Sequence, residues 1–276
     1  LALAYMRKAY AVSAFGDKRS AVALYDQAIA IRERLVLQEG QTELAGDLAM
    51  TYQNKAITVS DLGNYRGAAE LYGQAIAIYE RQVHQEGRTE LANNLAACYL
   101  NKANASSTLG DYQSALALYD QAIAIYERQV HQEGRTELAN NLATAYLNKA
   151  TSVNHLGDQQ GSVALYDQAI AIYERLVERE NRTDLAGGLA TTYLNKAVMV
   201  SDLGDNLGAM VLYGLAIELF VRLVQKEGRT EFANGLAAAY ENNANAVWTT
   251  WGDTQGAVVL YDQAIAIYER LVHREG

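Results

Sequence analysis

Proline is absent from all 276 residues, so nothing in the chain forces a helix to break or kink. Cysteine occurs once, as Cys98, which excludes a disulfide framework and points to a reducing cytoplasm. No basic run occurs and the formal net charge is −9, so nucleic acid and anionic membranes are poor candidate partners. No uninterrupted apolar stretch approaches the ~20 residues that span a bilayer. The first residue is Leu1 and no signal-like segment follows it. Phosphate loops, dinucleotide glycine motifs and nucleophile elbows are missing, so no enzyme activity and no cofactor are expected.

What is present is repetition. Half the residues are apolar, and they recur with a period of 47 residues. Gly110-Asp111-Tyr112 has counterparts beginning at Gly16, Gly63, Gly157 and Gly204, and a last one at Gly252, one residue late. A fixed period in the range of twenty to fifty residues marks a stacked array, in which no single hairpin can bury its faces alone. The units run 1–41 (truncated), 42–88, 89–135, 136–182, 183–229 and 230–276. Leu1 to Tyr5 match Leu95 to Tyr99, and the chain stops where one unit should hand over to the next, so a fragment of a longer protein is expected.

Within residues 89–135, Leu91, Leu95, Tyr99 and Ala103 form one apolar stripe at i, i+4 spacing, with Thr89 as the expected N-cap. Gly110 is the expected left-handed C′ residue. Tyr112, Ala115, Leu116, Tyr119, Ala122, Ile123, Tyr126 and Val130 then form a second stripe from about 111 to 131. The tight Gly-Asp turn makes the two helices antiparallel neighbours. Tyr25, Tyr72, Tyr119, Tyr166, Tyr213 and Tyr261 share one place in the repeat, and Ala28, Ala75, Ala122, Ala169, Ala216 and Ala264 another. The fold class is all-α, a solenoid of antiparallel helical hairpins.

Tyr99-Leu100-Asn101-Lys102-Ala103, Leu109-Gly110-Asp111-Tyr112, Ala115, Tyr119 and Ala122 together resemble the tetratricopeptide repeat family over the whole chain. That family's common unit is shorter, about 34 residues, and often ends in proline, so both helices should be longer here. Lys8, Lys55, Lys102, Lys149 and Lys196 stand where the simplest consensus is apolar, a familiar bacterial variant, with the stem expected to pack and the amine to reach water. The resemblance implies a right-handed superhelix whose first helices line a concave groove, and it implies binding of a peptide or protein.

Asn54, Asn101, Asn148, Asn195 and Asn242 form a column about 200° around the first helix from the Tyr99 position. A carboxamide both donates and accepts, so such a ladder could hold an extended peptide backbone. Alternatively, it ties the first helix to its neighbour. Asn104, Thr151 and Asn245 continue that side, and Gln53, Ile57, Asp61, Thr108, His155, Val198, Asp202 and Glu241 vary along it. Trp248 is a candidate exposed anchor. Trp251 takes the place of Leu62, Leu109, Leu156 and Leu203 and is expected in the core, with the extra residue nearby forming a bulge or a longer turn. His84, His131 and His273 share one repeat position and are at least one repeat apart, too far to share a metal, and Cys98 reads as a packing residue. The Glu-Arg pairs such as Glu80-Arg81 read as solvated faces or inter-repeat ion pairs. Three functions remain open on sequence: a protein-interaction scaffold, a spacer that self-associates through uncapped terminal repeats, and a sensor segment of a larger signalling protein or enzyme.

Overall fold

The computed structural model describes the backbone of residues 1–275 and the side chains through His273. Among the described residues there are twelve α-helices and no strand. They pair as α1 (Ala2–Ala14) with α2 (Lys18–Glu33), α3 (Ala45–Asp61) with α4 (Tyr65–Glu80), α5 (Ala92–Thr108) with α6 (Tyr112–Glu127), α7 (Ala139–His155) with α8 (Gln159–Glu174), α9 (Ala186–Asp202) with α10 (Asn206–Val221), and α11 (Ala233–Trp251) with α12 (Thr254–Glu275). The contacts divide the chain into two compact units, Leu1–Thr136 and Glu137–Gly276.

Each unit is a stack of hairpins. In the first, α3 packs on α2 and α5 on α4; in the second, α9 packs on α8 and α11 on α10. First helices also meet one another, α1 with α3, α3 with α5, α7 with α9 and α9 with α11. The alanine positions allow this closeness: Ala28, Ala75, Ala122, Ala169 and Ala216 are fully buried, and the methyl group is the largest side chain such contacts admit. Tyr25, Tyr72, Tyr119, Tyr166 and Tyr213 are buried beside them.

The turn inside each hairpin is built by two residues in sequence. Glycine takes the left-handed conformation after the first helix, as at Gly110 (φ 82°). The next residue caps the second helix: Asp111 accepts from the Ser114 amide at 3.2 Å, and Asp17, Asn64, Asp158, Asp205 and Asp253 do the same three residues ahead.

The extra length over the common repeat lies between hairpins. Each of α2, α4, α6, α8 and α10 continues into a five-residue π turn, such as Arg81–Gln85, and then into a three-residue 3₁₀ turn such as Thr89–Leu91. A left-handed residue ends the π turn: Gly40, Gly87, Gly134 and Gly228 near φ 70°, and Asn181 at 55°. Thr89 therefore opens the 3₁₀ turn and makes no side-chain cap, contrary to the sequence expectation. The arginine of each π turn pairs with a glutamate five residues on, as Arg81 with Glu86 at 3.2 Å and Arg128 with Glu133 at 3.1 Å. These pairs lie within one linker, not between repeats.

Three further expectations are corrected. Trp251 is 63% exposed, because its place at the last turn of the first helix is a solvent edge; Leu62, Leu109, Leu156 and Leu203 are 41–51% exposed there too. The extra residue of the last hairpin makes neither bulge nor longer turn: α11 has 19 residues where α5 has 17, and it ends directly on left-handed Gly252. Asn206–Lys226 is long and apolar enough to cross a membrane, with a mean hydropathy of 1.9. It is apolar nearly all round because its Ala209, Tyr213, Ala216 and Phe220 are buried while Leu207, Val211 and Leu215 are exposed.

Candidate binding face of the first helices

In α3, α5, α9 and α11, one side of the first helix meets the preceding hairpin of its unit and another meets its own second helix. The lysines belong to the first of these. Lys55 Nζ lies 2.5 Å from Asp26 Oδ1, and Lys196 pairs likewise with Asp167, with lysine side chains only 17% and 18% exposed. The stem packs as expected, but the amine is held by an aspartate of the preceding hairpin instead of reaching water alone. The tyrosine three residues earlier does the same: Tyr52, Tyr99 and Tyr193 donate to Glu33, Glu80 and Glu174. Burial, then the carboxylate acceptor, raises all three phenols.

Where a tyrosine at the next helical position is replaced, the chemistry changes. Arg32, 3% exposed, stands where the other hairpins have Tyr79, Tyr126, Tyr173 and Phe220. Its guanidinium donates to Asp47 O (2.8 Å), to Thr51 Oγ1 and to Asp47 Oδ2 (3.4 Å). Burial lowers its pKa, and Asp47 opposes that shift.

The asparagine column is half-buried at Asn54, Asn101, Asn148, Asn195 and Asn242. In the second unit, burial raises the Tyr166 phenol, and hydrogen bonds from Thr151, Ser162 and Asn195 work against that. The positions one turn on are engaged as well. Tyr119 donates to Asn104 Oδ1 at 2.8 Å, Thr151 Oγ1 is 3.1 Å from the Tyr166 hydroxyl, and Tyr261 donates to Asn245 Oδ1 at 2.5 Å. Asn104, Thr151 and Asn245 thus tie the first helix to its own second helix. Trp248 is 56% exposed at the far end of α11.

In the first unit these positions converge on a cleft of about 260 Å³ between α1 and α3. Asn54, Ile57 and Asp61 from α3 face Tyr10, Ser13 and Ala14 from α1, with Lys18 and Tyr25 from α2. Lys18 and Asp61 close one end with an ion pair of 2.9 Å. Tyr10 (70% exposed) and Ile57 (42%) supply open apolar surface. Sequence reasoning named Asn54, Ile57 and Asp61 but missed Tyr10 and Lys18, although Tyr10 occupies the same repeat place as Ile57, Asn104, Thr151, Val198 and Asn245.

The described residues contain no group of three or more metal-ligating side chains. Cys98 is fully buried, which pushes its thiol up to about 12.

Paired helices, a left-handed glycine at each turn and a repeated alanine-tyrosine interior define a helical-hairpin repeat protein. The tetratricopeptide repeat profile matches residues 1–39, 48–81, 95–128 and 140–182, more than half of the chain. The chain belongs to the tetratricopeptide repeat family, whose members generally serve as non-enzymatic protein-interaction scaffolds. Solved structures agree on the fold. BtubC (BKLC) from P. vanneervenii is 21% identical with a TM-score of 0.69, covering 92% of both chains. The nearly identical TPR-like repeats of a protein described as a kinesin light chain from Podosopora anserina are 20% identical with a TM-score of 0.58, covering 82% of this chain and 97% of that one. MamA is 15% identical with a TM-score of 0.52, covering 79% and 96%. No curated protein sequence matches the chain.

Proposed function

We propose that the chain is a binding scaffold that receives an extended segment of a partner polypeptide against the open side of its first helices. The cleft between α1 and α3 carries this reading. It joins an amide (Asn54) able to pair with a peptide backbone, apolar wall at Tyr10 and Ile57, and a fixed charge pair at Lys18–Asp61. Small apolar pockets with a few placed polar groups are what peptide anchors require. Asn101 in the first unit, and Asn148, Asn195 and Asn242 in the second, repeat the amide, while Asn104, Thr151 and Asn245 brace it. Exposed Trp248 supplies an aromatic edge. With a net charge of −9 and no basic run, the partner is a protein or peptide, not nucleic acid or a membrane.

The test is capture from lysate with the native chain beside two folded variants, Asn54→Arg with Ile57→Arg, and Asn101→Arg with Asn148→Arg and Asn195→Arg. A partner held by the native chain and lost from the first variant supports the cleft; loss from the second extends the site along the asparagine column. Equal capture by all three overturns the reading.

A further inference from the structure

One second helix has exchanged a polar outer face for an apolar one. On α4, which has hairpins on both sides within its unit, Arg66, Glu70 and Gln74 stand one turn apart on the solvent side. The same places hold Gln113, Ala117 and Gln121 on α6, and Gln160, Ala164 and Gln168 on α8, all exposed. On α10 they hold Leu207, Val211 and Leu215, which are 55%, 65% and 39% exposed. α10 is itself packed between α9 and α11 of its own unit. Its outer face is therefore open because of its place in the repeat, as that of α4 is. Single exposed apolar residues are ordinary, but a row of them on a face that is otherwise polar marks a contact with another molecule.

The order of residues along the row says which molecule. Leu207-Gly208, Val211 and Gly214-Leu215 read the same in both directions about Val211. At about 100° per residue, Leu207 and Leu215 lie about 40° to either side of Val211, and the two glycines about 60° to either side of it once whole turns are removed. A contact across a two-fold axis must be self-complementary, with residue i meeting j while j meets i. Two α10 helices crossing antiparallel with Val211 on the axis satisfy this: Leu207 of each copy faces Leu215 of the other, and Gly208 faces Gly214. A Cβ at Gly214 would meet nothing within 4 Å in its own chain, and glycine lets a second backbone come close at the flank of the row. The charges favour the same direction. Asp202 and Asp205 are exposed at the turn that opens α10, and Arg222 and Lys226 follow its last turn. An antiparallel pair brings each basic end to the acidic end of the other copy, whereas a parallel pair would set like beside like. Glu218 then lies towards the N-terminal end of the opposite helix, whose dipole favours a carboxylate.

We infer that the outer face of α10 is a self-association surface, through which two copies of the chain pair antiparallel about a two-fold axis at Val211. Such a contact is isologous: each copy spends its one α10 face, so assembly closes at the dimer. It uses none of the residues of the proposed peptide site.

The experiment is analytical ultracentrifugation of the 276-residue chain across a hundredfold concentration range. The range reaches about 0.5 mM, because one helix from each copy buries less than the ~800 Å² per partner of a standard interface. The expected result is a weight-average mass that rises from the 30.2 kDa monomer towards twice that value and no further. Val211→Arg sets like charges together on the axis and should weaken association at least tenfold. Leu207→Gln with Leu215→Gln, which restores the residues of α6, should weaken it as well. These positions are exposed, so the far-ultraviolet circular dichroism should stay unchanged. Cross-linking with bismaleimidoethane, a short thiol-specific reagent, reads the geometry. Val211→Cys alone should give a covalent dimer and Leu207→Cys alone should not, while Leu207→Cys mixed with Leu215→Cys should. Asn54→Arg with Ile57→Arg should leave the dimer intact, which separates this contact from the peptide cleft. A mass fixed at the monomer value at every concentration gives the row to a different partner and overturns the inference. So does association that survives Val211→Arg, a mass that passes the dimer, or equal cross-linking of Val211→Cys and Leu207→Cys.

Discussion

The junction between the second and third hairpins and the junction between the fifth and sixth solve one packing problem with different chemistry. In the first, Tyr79 is fully buried, with its hydroxyl accepting from Asn94 Nδ2 at 3.3 Å, and Tyr99 donates to Glu80. In the second, the equivalent of Tyr79 is Phe220, and the equivalent of Asn94 is Gly235, where a Cβ would come within 2.8 Å of the Phe220 ring. Phe220 and Phe232 lie with ring centroids 6.1 Å apart, and the Arg229 guanidinium sits 4.7 Å from the Phe232 ring centre. Tyr240, the equivalent of Tyr99, faces the place where Val221 has replaced glutamate. Both junctions keep the buried alanine of the second helix, Ala75 and Ala216. Stacking of hairpins therefore depends on apolar fit, and the polar pairs are additions to it.

The largest break of this comparison is Phe220→Ala. Phe220 is 1% exposed and belongs to the main cluster of the second unit, with Leu223, Leu236 and Tyr213. Removing the ring opens a cavity beside glycine, which has no side chain to fill it, and should cost about 3–5 kcal/mol. Urea denaturation measures this. A cost under about 1 kcal/mol would mean that the sixth hairpin is not held by this contact.

A smaller effect separates the two junctions by pH. Burial pushes the Tyr79 phenol up to about 12, from 10; the Asn94 bond opposes the shift, and Cys98 and Asp47 add to it. Because the folded pKa is raised, this contribution is complete below pH 10 and is lost as pH rises from 10 towards 12. Native protein should lose stability steeply over that window, and Tyr79→Phe should lose less. The Phe220 position has nothing to titrate, so Phe220→Tyr should add a new alkaline loss. Equal pH slopes for native protein and Tyr79→Phe would show that Tyr79 ionises without cost.

Part of this is legible in the sequence: the period puts Tyr25, Tyr72, Tyr119, Tyr166 and Tyr213 in one column and Ala28, Ala75, Ala122, Ala169 and Ala216 in another, and all of them are buried. The glycine-aspartate turn was legible for the same reason. The π turn was not: residues such as Arg81-Gln82-Val83-His84-Gln85 continue the helical pattern, and only the hydrogen-bond offset distinguishes them from it. The Lys–Asp pairs also escaped, since their partners lie 29 residues apart in different hairpins. Trp251 was misplaced because a leucine column suggests a core, yet the leucines there are themselves nearly half exposed. At the candidate site, the sequence marks Asn54 by its recurrence and Ile57 and Asp61 by their variation; Tyr10 and Lys18 need the packing of α1 and α2 against α3 to join them.

The smallest effect sharpens the claim that polar pairs are additions. Tyr99→Phe removes a hydroxyl that donates to the Glu80 carboxylate, and a hydrogen bond to a charged group is worth about 1.5 kcal/mol. Glu80 is exposed and regains water, so the measured cost should fall to about 1 kcal/mol. Tyr240→Phe removes the same hydroxyl at the junction where valine stands in place of the acceptor, and should change stability by under about 0.5 kcal/mol. Replacing Val221 with Glu should then raise the cost of Tyr240→Phe towards that of Tyr99→Phe, which a double-mutant cycle reads directly. Equal costs for Tyr99→Phe and Tyr240→Phe would assign the value to the ring environment instead of the Glu80 carboxylate.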